Sequence, residues 1–331
     1  MSCEAVVRRA PDGSLLLVCQ CGDRTEPAPG NRVYTFKSRD DGNTWSQPAL
    51  LYPDNGRAVY QTEVWVHDGL VSCFATEHDG GFLENTFFEC VSADGGATWD
   101  KRPAPVFCGG FVFLRGVIDY KNRPLIPYHY YNLSKRTSAE LSLAKRRIWD
   151  APIEYVENGV LIGDGKGNFR RGKKDVLLPL FKDENGVKSR AWVWSEPTVA
   201  EIDGGRLVML LRYDGTGVLY KSFSDDGGDT WSDAERTGIP NPGSKTKLIA
   251  MGGGKTALIH TPNPSVGMNY RMPLSLWISD DGLKTFYKKE TLLSELPGWY
   301  SYPDGFYEDG KFYISFEFNR HDIYFMKVKV D

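Results

Sequence analysis

The sequence predicts an all-β protein, a six-bladed β-propeller with four-stranded antiparallel blades and Asp-box turns. Three observations carry this prediction: a turn motif repeated along the chain, a second repeated hairpin motif, and an unusual composition. The 331 residues include 35 Gly, 17 Tyr, 17 Phe and 9 Trp, so many turns join aromatic-rich runs. Such runs favour strands over helices.

The repeated turn motif has the template Ser-x-Asp-x-Gly-x-Thr-Trp, which we name the Asp box. Its copies start 54, 132 and 55 residues apart, and the last one is the weakest. In such a turn the Asp accepts hydrogen bonds from turn amides, the Gly permits positive φ, and the Trp packs beneath the next strand. We therefore expect the Asp residues to be structural. The four copies are Ser38–Trp45, Ser92–Trp99, Ser224–Trp231 and Ser279–Phe286.

The second motif is a short strand, an Asp-Gly turn and an apolar strand, as at Asp12-Gly13, Asp68-Gly69 and Asp309-Gly310. Together the two motifs define a unit of four antiparallel strands about every 50 residues, which is a propeller blade. The chain length divided by 55 predicts six blades. The long middle spacing fits two repeats and an insertion, with Ile148-Trp149-Asp150 as the eroded remnant of the missing Asp box.

We therefore expect one domain over residues 1–331 with an insertion at about 155–190. Within the insertion, Gly163–Asn168 is expected to be a solvated loop at the rim of a pocket. The last blade is short, so we expect the N-terminal segment to supply its closing strand. The predicted blade boundaries are 1–50, 51–105, 106–155, 156–240, 241–295 and 296–331.

Composition excludes several functions. A net charge of -3 argues against a general nucleic-acid binder, and the chain has no apolar run of 18 residues that could span a membrane. Met1–Ala5 lacks the features of a signal peptide, so we expect a cytoplasmic protein. Of six cysteines, Cys19 and Cys21 form the one close pair, and no zinc set is completed. Reduced thiols, with no metal and no cofactor, are the expectation.

With these repeats, two further segments resemble the sialidase (neuraminidase) superfamily with bacterial Asp-box repeats. Ser195–Arg212 is similar to the family's Glu-containing strand of blade 4, and Tyr300–Asp304 with Ile314–Glu317 is similar to its C-terminal Tyr strand. The resemblance implies a glycoside hydrolase with a carbohydrate substrate and a site at the mouth of the central channel. In this family a Tyr activated by a Glu attacks the anomeric carbon, an Asp is the acid/base, and three Arg bind the substrate carboxylate.

Carried over to this chain, the resemblance assigns the nucleophile to Tyr302 and its base to Glu201, with Glu196 as the alternative base. Arg271 lies near the third Arg of the clamp, displaced by two residues, which keeps it on the same face of a strand. A neutral Tyr suits a substrate whose anomeric carbon carries a carboxylate, because an anionic nucleophile would be repelled. Pro240–Ser244 is similar to a bacterial branch of the family.

Three positions depart from the family pattern. Cys3-Glu4-Ala5 stands where the first Arg is expected, and Gly217 where the second is expected. The stretch that should hold the acid/base Asp offers only the carboxylate of Glu26. A different clamp could be built from Arg115, Arg212 and Arg320, and either Glu4 or Glu63 could replace the missing acid.

These departures leave three functional hypotheses open. The first is a sialidase-like glycoside hydrolase that cleaves terminal acidic or modified sugars. The second is another propeller enzyme, a rhamnosidase or a polysaccharide lyase, in which His129 binds substrate or removes a proton beside a carboxylate. The third is a catalytically silent carbohydrate-binding propeller, because fold alone does not determine function.

Overall fold

The computed structural model describes residues 1–82, 84–104, 107, 110–132, 156–179, 194–294 and 298–330. In these residues the regular backbone is strand, apart from two 3-10 helices, Asp203–Gly205 and Met268–Tyr270. The strands form six antiparallel sheets, the blades of a six-bladed β-propeller, so the predicted fold class is confirmed. None of the described residues lies in a helix long and apolar enough to cross a membrane.

Each blade is a run of consecutive strands. Blade 1 has β1 (Ser2–Arg9), β2 (Leu15–Cys21), β3 (Arg32–Ser38) and β4 (Ala49–Leu50); blade 2 has β5 (Ala58–His67), β6 (Leu70–His78), β7 (Thr86–Ser92) and β8 (Asp100–Pro103). Blade 3 has β9 (Phe111–Leu114), β10 (Ile118–Tyr120), β11 (Arg123–Tyr131), β12 (Val156–Gly163) and β13 (Phe169–Arg171); blade 4 has β14 (Thr198–Ile202), β15 (Arg206–Leu211), β16 (Val218–Ser224) and β17 (Glu235–Pro240). Blade 5 has β18 (Lys247–Gly252), β19 (Lys255–His260), β20 (Leu274–Ser279) and β21 (Lys288–Leu293); blade 6 has β22 (Tyr300–Glu308), β23 (Lys311–Phe318) and β24 (Asp322–Lys329).

The chain divides into two compact units. The first is Met1–Val112 with Tyr300–Asp331 and holds blades 1, 2 and 6; the second is Phe113–Trp299 and holds blades 4 and 5 and, apart from the first two residues of β9, blade 3. Within each unit, adjacent blades pack through apolar faces. Leu16 and Val18 of blade 1 meet Val64 and Cys73 of blade 2 in one such core. Burying a side chain of this size contributes roughly 1.5–3 kcal/mol.

The Asp boxes are structural turns between the third and fourth strands of blades 1, 2, 4 and 5. In every copy the Asp accepts the Thr hydroxyl at 2.6 Å and the Thr N–H at 2.8–2.9 Å. It also accepts the Ser hydroxyl at 2.7–2.9 Å. The carboxylates are therefore occupied by their own turns: Asp40, Asp94, Asp226 and Asp281.

A fifth turn of the same kind joins β12 to β13. Asp164 accepts the Asn168 backbone N–H at 3.1 Å and the Asn168 side-chain amide at 2.8 Å, and Phe169 follows in the position of the Trp. This segment is the eroded Asp box of blade 3, and residues 164–168 are exposed, so the turn is also the solvated loop that the sequence predicted. Ile148-Trp149-Asp150, the predicted remnant, lies outside the described residues.

The structure also corrects the predicted boundaries of blades 3 and 4 and the closure of the ring. Blade 3 extends to Arg171, through residues assigned to an insertion, and blade 4 begins at Thr198. The N-terminal strand β1 pairs with β2 in blade 1, and blade 6 has three strands within the described residues. The Ser315 hydroxyl donates to the Ala5 carbonyl at 2.8 Å, so side chains contribute to the contact between blades 6 and 1.

The Asp-box hydrogen bonds predict a specific acid sensitivity. The hydroxyl and the N–H of Thr285, together with the Ser279 hydroxyl, lower the pKa of Asp281 to about 2. An Asp whose pKa is lower in the folded than in the unfolded state, where it is about 3.9, stabilises the fold above that pH. This contribution is lost as the pH falls through about 2. We expect Asp281→Asn to lower the urea midpoint clearly at pH 7 and far less at pH 2.

The exposed neighbour Asp280 is the matched control. We expect Asp280→Asn to leave the urea midpoint nearly unchanged at both pH values. A loss of stability in Asp281→Asn that is equally large at pH 7 and pH 2 would contradict the assignment.

Candidate active site

Glu196 is a buried carboxylate in a strained backbone conformation. It stands two residues before β14, has φ 33° and is 2% exposed. Its N–H donates to Nδ1 of His129 at 3.2 Å. A residue other than glycine in this region costs about 1–3 kcal/mol, and such strain persists where the surroundings over-determine it, commonly at functional sites. The contacts of Glu196 therefore decide what this position can do.

Two buried arginines share the carboxylate of Glu196. Arg212 directly follows β15, and its Nη1 lies 2.7 Å from Oε2; Arg115 directly follows β9, and its Nη2 lies 3.5 Å from Oε1. Nε of Arg212 also donates to Oδ1 of Asp214 at 2.8 Å. Buried charges need partners, and here the residues that directly follow β9 and β15 meet at one carboxylate. We name it the Glu196 cluster: Glu196, Arg115, Arg212, Asp214 and His129.

His129 on β11 acts on Glu196 through its ring nitrogen. The ring is fully buried and stacks on Phe113 with 4.4 Å between centroids. Burial, and then the charges of Arg115 and Arg212, hold the pKa of His129 well below its ordinary value. Since Nδ1 accepts the Glu196 N–H, the proton of the neutral ring lies on Nε2. Both ring nitrogens are then engaged, Nδ1 as an acceptor and Nε2 by its own proton. This arrangement disfavours the removal of a substrate proton by His129, which the lyase hypothesis requires.

Removing this ring nitrogen is expected to destabilise the protein. His129→Phe keeps an aromatic ring against Phe113 and leaves the buried Glu196 N–H without its acceptor, which costs about 1–3 kcal/mol. His129→Asn, which offers an amide oxygen near the Nδ1 position, is expected to lose less. Urea unfolding at pH 7 measures both, and equal losses in the two variants would contradict this role.

His129→Phe also tests whether the pKa of His129 is lower in the folded than in the unfolded protein. A His whose pKa is lower in the folded than in the unfolded state, about 6.5, destabilises the fold as the pH falls below that value, because the unfolded chain binds more protons. We expect the stability of the wild type to fall from pH 7 to pH 5, and that of His129→Phe to fall less steeply. An unchanged slope would show that His129 titrates alike in both states.

Arg271 is connected to the Glu196 cluster through the backbone of Gly243. It follows the 3-10 helix Met268–Tyr270, is 4% exposed, and donates from Nη2 to the Gly243 carbonyl at 2.7 Å. Gly243 has φ +89°, and a Cβ there would lie 2.6 Å from Oδ1 of Asp214 and 4.0 Å from Nε of Arg212. The Pro240–Ser244 segment therefore bridges two arginines that the sequence assigned to a carboxylate clamp.

Two buried lysines lie near the Glu196 cluster and were not predicted from the sequence. Lys245 and Lys247 are 3% and 7% exposed, and Nζ of Lys247 lies 3.0 Å from the place a Cβ on Gly116 would take. The sequence does contain a pattern that could have indicated them. Two lysines spaced i and i+2 stand where blade 5 begins, and this spacing places both side chains on one face of a strand. Throughout the described chain, no group of three or more His, Cys, Asp or Glu is arranged to hold a metal ion.

Tyr302 and Arg320 lie in the first unit. Tyr302 has φ 51° at a bulge in β22, and its ring centroid lies 5.8 Å from Cζ of Arg320. Arg320 stands in the turn between β23 and β24 and forms an ion pair with Glu26. The one carboxylate that the sequence offered where the acid/base Asp is missing is thus bound by an arginine.

Glu4 and Glu63, the other candidates for the missing acid, are also engaged. Glu4 has φ 55°, is 2% exposed and accepts the Tyr60 hydroxyl at 2.7 Å. Glu63 pairs with Nη2 of Arg8 at 2.5 Å, and Asp304 pairs with Nη1 of the same residue. Burial disfavours the charge of Arg8, yet the two carboxylates raise its pKa above the ordinary value. Arg8 was not singled out from the sequence.

The predicted site residues thus fall into three sets. Glu201 is exposed on β14, opposite Leu207. The first unit holds Tyr302 and Arg320. The second unit brings the remaining predicted residues together around one carboxylate: Glu196, Arg115, Arg212, His129 and, through Gly243, Arg271.

Comparison with known proteins agrees with this fold. The BNR repeat-like domain family matches residues 172–314. The Hadza microbial sialidase Hz136 superposes with a TM-score of 0.72 at 15% identity, over 99% of this chain and 66% of that one. A Trypanosoma rangeli sialidase in complex with the inhibitor DANA superposes with a TM-score of 0.65 at 15% identity, over 98% and 53%. A Dyadobacter fermentans protein of unknown function gives 0.64 at 18%, over 96% and 90%.

The fold and the repeats define the class, a six-bladed propeller with Asp-box turns. Residues 172–314 match the BNR repeat-like domain family, and the fold of the chain is similar to that of the solved sialidases. It spans about two thirds of the Hadza sialidase and about half of the Trypanosoma enzyme. A search of the curated proteins found no significant sequence match.

Proposed function

We propose that this protein is a sialidase-like glycoside hydrolase that removes terminal acidic or modified sugars from glycans. The observation that carries the proposal is Glu196, a buried carboxylate in a left-handed conformation between two buried arginines. Packing alone does not account for this arrangement, because apolar groups of similar volume would avoid the desolvation of the charges. A site that orients an anionic sugar needs such fixed charges.

The arginines support an acidic substrate. A guanidinium recognises a carboxylate through paired, charge-assisted hydrogen bonds. Arg115, Arg212 and Arg271 supply three such groups in the second unit, and Gly243 connects Arg271 to Arg212. We assign the base of the reaction to Glu196 rather than to the exposed Glu201. Tyr302 stays the predicted nucleophile, on the resemblance of its strand to the sialidases.

A second candidate is a propeller hydrolase for a different sugar, such as a rhamnosidase. Glu4 favours it, because a carboxylate stands where sialidases are expected to carry the first arginine of the clamp. A buried carboxylate at this position would repel a sialate carboxylate and would instead accept hydrogen bonds from sugar hydroxyls.

The test is turnover of a panel of 4-methylumbelliferyl α-glycosides that includes the sialoside and the rhamnoside. We expect the wild type to release the fluorophore from the sialoside and Tyr302→Phe to lose at least about a hundredfold of the rate, as expected when a nucleophile is removed. Tyr307→Phe, on the same strand, is the matched control and should keep the rate. Turnover of the rhamnoside alone favours the second candidate, and turnover of no glycoside contradicts both.

A further inference from the structure

Two cysteines outside the site just described lie in contact. Cys19 and Cys21 alternate on β2, so both side chains project from the same face, and their sulfur atoms are 3.4 Å apart. Cys19 is fully buried, whereas Cys21, the last residue of the strand, is partly exposed. The pair thus combines a thiol that a small reagent can reach with a second thiol directly behind it.

The environment favours the thiolate on Cys21. The Cys19 thiol donates to it, and although burial opposes the charge, the Ser2 hydroxyl adds a second hydrogen bond, so that the pKa of Cys21 is lowered to about 7. The pKa of Cys19 is raised well above its ordinary value, first by the same hydrogen bond and then by burial. The thiolate is the form that attacks peroxides and disulfides, and access decides which thiolates react.

A second cysteine pair in the same unit shows what is special about the first. Cys73 and Cys90 face each other across β6 and β7, and both are fully buried. Burial raises the pKa of the Cys73 thiol well above its ordinary value and that of Cys90 to about 12. Two cysteines that are neighbours in the fold therefore need not be reactive. Cys73 and Cys90 serve as the internal control for the oxidation experiment.

We propose that Cys19 and Cys21 form an oxidation site that hydrogen peroxide converts to an intrastrand disulfide. The Cys21 thiolate attacks one peroxide oxygen, the O–O bond breaks, and hydroxide leaves and takes up a proton to form water, which leaves a sulfenic acid on Cys21. The Cys19 sulfur then attacks the Cys21 sulfur. The S–O bond breaks, the Cys19 thiol proton leaves with the hydroxyl as a second water, and the disulfide forms. The dithiol loses two electrons, which reduce the peroxide.

The link should be readily reversible. Cα atoms two residues apart on a strand are about 6.6 Å from each other, near the upper end of the range of about 4.4–6.8 Å that a disulfide spans. Closing the bond therefore distorts the end of β2, and strained, accessible disulfides are the ones that thiols reduce easily. We expect dithiothreitol to restore both thiols without unfolding the protein.

The experiment treats the full chain with hydrogen peroxide and analyses its tryptic peptides without reduction. Cys108 is replaced by Ser throughout, so that its thiol does not enter the analysis. Residues 10–24 form one tryptic peptide with both cysteines, and we expect it to lose two hydrogen atoms and to resist alkylation. In Cys19→Ser, Cys21 should instead be trapped by dimedone as a sulfenic acid. Cys21→Ser should slow oxidation of Cys19 by roughly tenfold or more.

The behaviour of Cys73 and Cys90 under the same treatment is the control for this experiment. Cys73 and Cys90 should stay alkylatable after unfolding, and Cys73→Ser should leave oxidation of the 10–24 peptide unchanged. Addition of oxygen to the wild-type 10–24 peptide without loss of hydrogen, or linking of Cys73 to Cys90 at the same rate, would overturn it. The readout is a peptide mass, so it does not depend on any hydrolase activity.

Discussion

Replacing Glu196 with alanine is expected to lower the free energy of unfolding by about 3–5 kcal/mol, the usual cost of removing one partner from a buried ion pair. The variant deletes the carboxylate that Arg115 and Arg212 share, 3.5 Å and 2.7 Å from their Nη atoms. Both guanidinium groups stay buried. Equilibrium unfolding in urea at pH 7 measures the loss.

Glu201 is the matched control for this prediction. It stands on β14, five residues further along the chain, and is exposed. Surface substitutions of this kind usually change stability by no more than about 0.5 kcal/mol, so we expect Glu201→Ala to unfold like the wild type. Equal losses in the two variants would mean that Glu196 is not the anchor of the buried cluster.

Gly243→Ala is expected to cost about 1–3 kcal/mol through backbone strain alone. The residue has φ +89°, which an alanine adopts only with strain, and the added Cβ would lie 2.6 Å from Oδ1 of Asp214. Asp214 must then move away from Arg212, and the Gly243 carbonyl that holds Arg271 moves with the backbone. We therefore expect lower stability together with loss of sugar binding or turnover.

Gly238 provides the comparison, since it lies on β17 and a Cβ there would meet nothing within 4 Å. Gly238→Ala is expected to stay within about 0.5 kcal/mol of the wild type. If Gly243→Ala kept full stability and full activity, the Gly243 turn would have no part in positioning the arginines.

The fold was predictable because its turns are local. In an Asp box the carboxylate, the hydroxyl and the turn amides that it binds lie within five residues, so the sequence alone records the hydrogen bonds. The Asp box of blade 3 was missed because Asp164 keeps its spacing to Asn168 and Phe169, while the Ser and Thr of the template are gone. A template reduced to Asp, a polar residue at i+4 and an aromatic residue at i+5 would have found it.

The site was predictable only in part because its geometry is tertiary. Arg212 follows five consecutive apolar residues of β15, so a buried role could be expected from the sequence. Glu196 and Glu201 are five residues apart, and alternation along a strand would place them on opposite faces. Alternation does not say which of the two is buried, because β14 is an edge strand with buried residues on both faces and Glu196 lies before it. The contact from His129, 67 residues away along the chain, has no local signal.

The most direct test of the central claim is the kcat/KM of the wild type, Glu196→Gln and Glu201→Gln on the glycoside that the panel identifies. Glutamine keeps the shape of the side chain and removes its charge, so the comparison separates the buried carboxylate from the exposed one. We expect Glu196→Gln to lose about a hundredfold or more, the usual effect of removing a general base, and Glu201→Gln to stay near the wild type. Full activity in Glu196→Gln, or an equal loss in Glu201→Gln, would contradict a catalytic centre built on Glu196.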